Sequence, residues 1–128
     1  MKNFGITSAH LDYFKSCTDR LLIKSINVCD NKIVSIDSIL NYCENVEELI
    51  VAKNFIKEIK IKKNLAQLRK LIAYDNFIEV VEGLEMLSVI GKIFLENNKL
   101  KKMKPITLKK LKELDISDNS FNDLKWLQ

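Results

Sequence analysis

Apolar residues recur along the chain with a period of about 22 residues. An asparagine marks each period, at Asn31, Asn54, Asn76, Asn98 and Asn119, with spacings of 23, 22, 22 and 21 residues. The frame around it is clearest in the segments VEELIVAKNFIKEI, LRKLIAYDNFIEVVEGLEML and LKELDISDNSFNDLKWL. The pattern predicts one domain of six tandem repeats. Their bounds are 1–22, 23–45, 46–67, 68–89, 90–110 and 111–128.

Six positions of the repeat are apolar in almost every copy. With the asparagine at position 9, these are positions 1, 4, 6, 11, 14 and 17, and Lys62 is the sole polar residue in those columns. Positions 3 to 7 alternate between outward and inward, which predicts a short strand, and strands of successive repeats stack in parallel. Positions 11, 14 and 17 are three apart, which fits a tight 3₁₀-like return. The first repeat departs from the frame, because Ala9 replaces the asparagine.

This frame resembles the leucine-rich repeat, L-x-x-L-x-L-x-x-N-x-L. Its period and its I-x-x-I-x-x-L tail are similar to the short intracellular subclass, typified by the leucine-rich regulatory subunit of nuclear type-one protein phosphatase. The resemblance implies an α/β-type repeat solenoid, a curved coil with one parallel sheet of short strands on the concave face. The convex face would carry 3₁₀ or loop returns. We therefore interpret the five asparagines as structural residues that bond the backbone of adjacent turns. For function, the resemblance implies a phosphatase-regulator-like role or that of a constitutive subunit in a larger assembly.

Residues for catalysis or metal binding are scarce. The chain has no glycine-rich phosphate loop, no G-x-S-x-G and no H-E-x-x-H motif. It has one histidine, His10, which we expect to be an exposed surface residue, and three cysteines without a C-x-x-C pair. Cys17 and Cys43 are expected to pack as small hydrophobes, and Cys29 at position 7 is expected to be exposed. We predict no enzyme activity, no cofactor and no metal site.

The outward positions of the strands suggest a binding surface. Position 5 carries Ile50, Ile72 and Phe94 in consecutive repeats, and Tyr74 stands beside them at position 7. One interpretation is ordinary β-propensity on a solvated strand. The favoured one is a concave contact patch for a protein partner, apolar in the centre and acidic at Asp75 and Glu96. A partner with basic residues around an apolar anchor would suit such a patch.

Two further groups of residues lie outside that patch. Phe55 and Phe77, at position 10 of neighbouring repeats, are predicted at the rim, either as contact residues or as a stack that shields the core. Lysines gather on the returns, and the net charge of +4 is too small to demand a nucleic-acid partner. The alternative function is a ribosome- or ribonucleoprotein-associated factor that binds phosphates through a basic convex face. The residues of that alternative are Lys57, Lys60, Lys63, Lys101, Lys102 and Lys104.

The sequence also favours a cellular location and a state for each end of the solenoid. No apolar run is long enough to cross a membrane and no secretory signal is evident, so we expect a reducing, intracellular compartment, cytoplasmic or nuclear. The frame starts at Met1, which leaves no room for a separate N-terminal cap. It stops just after Trp126, and we expect the C-terminal edge to be open and covered by a partner.

Overall fold

A computed structural model of the chain describes residues 5–104 and 107–121 and shows a parallel solenoid. The helices are α1 Ser8–Leu11, α2 Tyr13–Ser16 and α3 Asp37–Tyr42, with 3₁₀ turns at Arg20–Leu22 and Leu84–Met86. The strands are β1 Ser25–Asn27, β2 Glu48–Ile50, β3 Glu58–Lys60, β4 Lys70–Ile72, β5 Val80–Glu82, β6 Lys92–Phe94 and β7 Glu113–Asp115. Among the residues described, no helix combines the length and the apolarity that a membrane crossing requires.

A five-stranded parallel sheet forms one side of the solenoid, in the order β1-β2-β4-β6-β7. Its strands occupy positions 3 to 5 of the predicted repeats, and the pairing keeps each repeat position opposite its equivalent. Leu71, for example, lies between Leu49 and Ile93. The predicted leucine-rich-repeat solenoid is therefore confirmed as the fold, with the strands in the predicted register.

Most of the predicted apolar columns form a continuous core. Residues at positions 1, 4, 6, 11 and 14 of the second to fourth repeats are buried, except Ile23, which is half-buried against the core. Lys62 is exposed, as its charge requires, and Ile61 and Leu65 on either side of it are buried instead. Cys17 departs from the expectation, since it is only half-buried. Burial of these side chains is the main source of stability, because each repeat covers the apolar edge of the next.

The asparagine ladder bonds each turn to the one before it. The Oδ1 atom of Asn76 accepts hydrogen bonds from the backbone N–H groups of Ile56 (3.1 Å) and Asn54 (3.2 Å). Its Nδ2 atom donates to the carbonyl oxygens of Val51 and Ala73, both at 3.1 Å. The other four asparagines make equivalent bonds between turns. Because these side chains are buried or half-buried, they satisfy backbone groups that water does not reach freely.

A left-handed residue precedes each ladder asparagine. Position 8 has a φ between 53° and 61° in five repeats. Its occupants are Asp30, Lys53, Asp75, Asn97 and Asp118. Aspartate and asparagine tolerate this conformation better than other residues with a Cβ atom, which explains why they fill four of these places. This bend ends the strand and directs the asparagine side chain into the core.

The returns contain more sheet and a different turn from the prediction. In the third and fourth repeats they run extended, and β3 pairs with β5 in a second, two-stranded parallel sheet. The fourth repeat has the 3₁₀ turn Leu84–Met86, which begins at predicted position 17. A further 3₁₀-like bond recurs later, between position 1 of the next repeat and the residue three before it. There the N–H groups of Val46, Leu68, Ile90 and Leu111 donate to the carbonyl groups of Cys43, Leu65, Leu87 and Leu108. These four acceptor residues form a further core column that varies in repeat position, because the repeats differ in length before this turn.

The first repeat does not fold like the others. Residues 5–7 form no strand, and α1 and α2 follow instead, so the strand predicted there is wrong within the residues described. Leu11 is buried and Phe14 packs against the core. The Oγ atom of Ser8 accepts bonds from the N–H groups of Val34 (3.0 Å) and Ser35 (2.9 Å). The helical segment thus covers the edge of the second repeat, which corrects the expectation of no separate N-terminal cap.

The C-terminal edge of the sheet is partly open. Leu114 of β7 is 36% exposed, although it aligns with the fully buried Ile93 of β6. Leu111, Ile116 and Phe121 are only partly buried. Within the part of the chain that the structure describes, β7 has a strand partner on one side only. Trp126, near which the repeat frame stops, lies outside the described residues.

Candidate binding surface on the concave sheet

The predicted apolar residues form one column across the sheet. Strand pairing places Ile50 opposite Ile72, and Ile72 opposite Phe94. Asn27 continues the column at one end and Asp115 at the other. All three apolar side chains alternate with buried neighbours in their strands, so they face away from the core. We call Ile50, Ile72 and Phe94 the apolar column.

The apolar column forms part of a shallow depression of about 350 Å³. Its three side chains and that of Tyr74 are half-buried, so they combine contact area with access from solvent. The structure therefore brings together the four apolar and aromatic residues proposed from the sequence. The complete lining is Asn27, Cys29, Asp30, Ile50, Lys53, Ile72, Tyr74 and Phe94.

Position 7 is less exposed than the sequence suggested. Cys29 is only 5% exposed and Ala52 is fully buried, so the expectation of an exposed Cys29 is wrong. The chain bends through the left-handed residue at position 8, and neighbouring turns lie about 4.8 Å away on each side. Small side chains at position 7 are covered by this arrangement, whereas Tyr74 and Glu96 are long enough to reach the surface.

Carboxylates border the apolar column where the strands end. Burial, and then a hydrogen bond and charge repulsion from Asp115, raise the pKa of Glu96 to about 7. The pKa of Asp115 is lowered, mainly because Ser117 donates two hydrogen bonds to it from Oγ (2.7 Å) and from the backbone N–H (3.0 Å). Asp75 accepts a bond from Nδ2 of Asn97 at 2.8 Å. The predicted acidic residues Asp75 and Glu96 thus lie beside Asp115 in one group, which we call the acidic edge.

The opposite border, where the strands begin, is basic. A depression of about 330 Å³ surrounds Gly91 there, and most of its lining is cationic. Sequence reasoning missed this group because it considered the lysines only as residues of the returns. Reading positions 2 and 3 down the repeats, as was done for positions 5 and 7, would have found most of it. The basic edge consists of Arg69, Lys70, Lys92, Lys110 and Lys112.

The predicted rim residues form a stacked pair. The rings of Phe55 and Phe77 are 5.9 Å apart between centroids and within 7° of parallel. They are 48% and 45% exposed, so the stack leaves much of its surface to solvent. Repeat position 10 places Lys32 and Lys99 in the turns on either side of the stack. The pair stands apart from the residues that line the concave depression, and both predicted roles, contact residue and shield of the core, stay predictions.

The lysines of the proposed basic face have different environments. Lys60 pairs with Glu58 at 3.4 Å, and Lys63 pairs with Glu44 at 3.3 Å. Lys63 also donates to the Asn41 carbonyl group and lies 5.9 Å from the ring centroid of Tyr42.

Lys57, Lys101, Lys102 and Lys104 are exposed. Lys102 and Lys104 border a depression that also contains Glu79 and Glu82. Acidic residues therefore interrupt this face, which weakens it as a phosphate-binding surface.

The histidine and the buried cysteine considered from the sequence have contacts that serve the fold. His10 is exposed, as predicted, and its Nδ1 atom accepts a bond from the Thr7 N–H group at 2.9 Å, which caps α1. Cys43 is fully buried, and burial raises its pKa to about 11, so its thiol stays protonated. The described residues contain no group of three or more histidine, cysteine or acidic side chains suited to hold a metal ion.

Comparison with known proteins supports the fold alone. No protein-family model and no curated protein matches the sequence significantly. The structure is similar to that of an internalin, InlF of Listeria monocytogenes, with a TM-score of 0.65 and 24% sequence identity. The match covers 81% of this chain but 31% of the internalin, so this chain spans about a third of that protein's length. Internalin is a leucine-rich-repeat protein, and the likeness gives no support to a specific relation to the phosphatase regulatory subunit.

Proposed function

We propose that this chain is a non-catalytic interaction module that presents its concave sheet to a protein partner. The apolar column carries the proposal. Ile50, Ile72 and Phe94 lie on the solvent side of the sheet, opposite to the core, and they line a depression together with Tyr74. Apolar and aromatic side chains clustered in a surface depression and bordered by charged residues are typical of protein-binding sites.

A rigid backbone supports this role. The strands that carry the column are held by the parallel ladder and by asparagine side chains beneath them. Little conformational entropy would be lost from this side of the interface on binding, so more of the contact energy would appear as affinity. The open edge of β7 offers a second contact that a partner could cover. A regulatory-subunit role and an intracellular location stay predictions.

The test compares variants on and off the concave sheet. Tyr74→Ala and Phe94→Ala should each weaken the binding of a partner captured from lysate by about 1–3 kcal/mol, roughly 5- to 150-fold in Kd, because central aromatic residues dominate interfaces. Leu22→Ala is the matched control, since Leu22 is a highly exposed apolar residue of the N-terminal segment. Circular dichroism should show the same fold for all three variants.

The competing function predicts the opposite result. If the capture depends on the basic convex face, Lys101→Glu with Lys102→Glu should abolish binding while Tyr74→Ala and Phe94→Ala bind normally. That outcome would overturn the proposed function. The dependence of binding on salt is an independent check, because phosphate contacts weaken steeply with salt and apolar contacts do not.

A further inference from the structure

Charge is sorted across the concave sheet. The basic edge lies where the strands begin, the apolar column crosses their middle, and the acidic edge lies where they end. Two adjacent turns show the same order of basic, apolar and acidic residues. Position 3 is Lys70 in β4 and Lys92 in β6, position 5 is Ile72 in β4 and Phe94 in β6, and an acidic residue follows each strand. A bound partner would therefore meet opposite charges on its two flanks.

The basic edge has unused capacity for anions. Lys70 and Lys92 pair with Glu48 (3.7 Å) and Glu113 (3.4 Å), but these pairs are partly exposed and therefore weak. Arg69, Lys110 and Lys112 have no carboxylate within ion-pair distance among the residues described. Gly91 leaves room between them, since a Cβ atom there would meet nothing closer than 3.7 Å. Acidic side chains of a partner fit this edge.

The acidic edge has an unmet hydrogen-bonding need. Within the described part of the chain, Oε1 of Glu96 is the one buried side-chain oxygen without a hydrogen-bond donor. Asp115 lies beside it on the next turn and Asp75 on the previous one. A cationic side chain that a partner places against this edge would offset the repulsion among the three carboxylates.

The spacing of the apolar column selects the backbone form of the occupant. Adjacent strands are about 4.8 Å apart, so Ile50 and Phe94 are separated by about 9.6 Å. On an α-helix, residues i and i+7 lie on one face and are about 10.5 Å apart. On an extended strand, residues i and i+4 lie on one face and are about 13 Å apart. A helix laid across the strands therefore matches the column to about 1 Å. The whole column from Asn27 to Asp115 spans about 19 Å, or about 13 helical residues.

We propose, on the basis of the proposed function, that the concave sheet binds an amphipathic α-helix with an apolar stripe between an acidic flank and a basic flank. The acidic flank faces the basic edge, and the basic flank faces Glu96 and Asp115. Turning such a helix end for end exchanges its flanks, so the sorted charges also fix its direction. The sheet thereby selects both the charge pattern and the orientation of its partner.

Two synthetic helical peptides test this pairing directly. The sorted peptide has 14 residues, leucines at helical spacing, glutamates on one flank and lysines on the other. The mixed peptide has the same composition with glutamates and lysines interspersed on both flanks. Fluorescence anisotropy at low salt should show the sorted peptide binding at least about tenfold more tightly. Equal affinities, or no binding of either peptide, would overturn the proposal.

Charge reversal on each edge provides the matched variants. Lys110→Glu with Lys112→Glu should weaken the sorted peptide about tenfold, and so should Glu96→Lys with Asp115→Lys. Combining all four changes leaves Arg69, Lys70 and Lys92 at one edge and Asp75 at the other, so both edges then carry mixed charge. The combined variant should therefore bind the sorted and the mixed peptide with similar affinity. A combined variant that still binds the sorted peptide about tenfold more tightly than the mixed peptide would contradict the inference. A fluorescence-transfer pair between the peptide N-terminus and a label on an introduced cysteine, Leu22→Cys, reports the direction of the peptide on the native sheet, because Leu22 is exposed in the N-terminal segment and lies outside the depression.

These results separate the two proposals. If Phe94→Ala impairs capture of a protein partner but the two peptides bind alike, the interaction site stands and the helical, charge-sorted occupant is wrong. If Phe94→Ala changes neither the protein capture nor the peptide binding, the proposed function itself fails.

Discussion

Replacement of Asn76 by alanine tests the ladder that holds successive turns together. In the native chain, Oδ1 of Asn76 is the acceptor for the buried backbone N–H groups of Ile56 and Asn54. Asn76→Ala leaves both donors without a partner, and an unmade buried hydrogen bond costs about 1–3 kcal/mol. Allowing for some entry of water, we expect a loss of about 3 kcal/mol. That is a large part of the 5–15 kcal/mol typical of a native domain.

Asn119→Ala is the matched control for this experiment. Asn119 makes the same type of bond, with Oδ1 accepting from the Leu100 N–H group at 3.0 Å, but its side chain is half-buried and water can replace it. We expect a loss of about 1 kcal/mol there. Urea unfolding followed by circular dichroism gives both values, and amide exchange should accelerate at Ile56 and Asn54 in Asn76→Ala. Equal losses in the two variants would refute the assignment of the ladder to buried backbone groups.

Two more predictions concern the backbone and pH. Gly83→Ala should lower the free energy of unfolding by about 2 kcal/mol or more, because φ at Gly83 is 85° and a Cβ atom would overlap the Ile61 carbonyl oxygen. Gly91→Ala is the control, since a Cβ atom there makes only ordinary contacts, and it should change the free energy of unfolding by no more than about 0.5 kcal/mol in the same urea assay. The pKa of Glu96 is raised to about 7, so native Glu96 keeps a proton that the unfolded chain releases near pH 4.5. Stability should therefore fall between about pH 4.5 and 7, and Glu96→Gln should flatten that fall in melts across this range; an unchanged slope would contradict the assignment.

The apolar column shows how far sequence reasoning reached for the candidate site. Ile50, Ile72 and Phe94 could be assigned to one face because alternation along a strand is local, and the repeat period aligned them across strands. The left-handed position 8 could also have been found, since aspartate or asparagine precedes four of the five asparagines. In both cases the signal is a residue type repeated at a fixed place.

Other features of the site could not be predicted from the frame. Cys29 occupies an outward position, yet it is buried because the bend after it and the neighbouring turns cover a small side chain. The raised pKa of Glu96 depends on burial and on Asp115, which is 19 residues away in the chain. Both properties arise from contacts between neighbouring repeats, and the residue type at one repeat position does not reveal those contacts.

The sequence by itself determined the repeat, the parallel stacking and the inward or outward direction of each strand residue. These features follow from short-range periodicity in the sequence. Because the repeats stack in register, each repeat has the same local preference for which side chains face the core. Only the tertiary structure decided that residues 5–22 form helices rather than a strand and that the returns pair as a second sheet. It also decided that Lys110 and Lys112 join Arg69 at one edge. The physical reason is that end effects and charge clusters arise from contacts between different turns, whose energies no single repeat encodes.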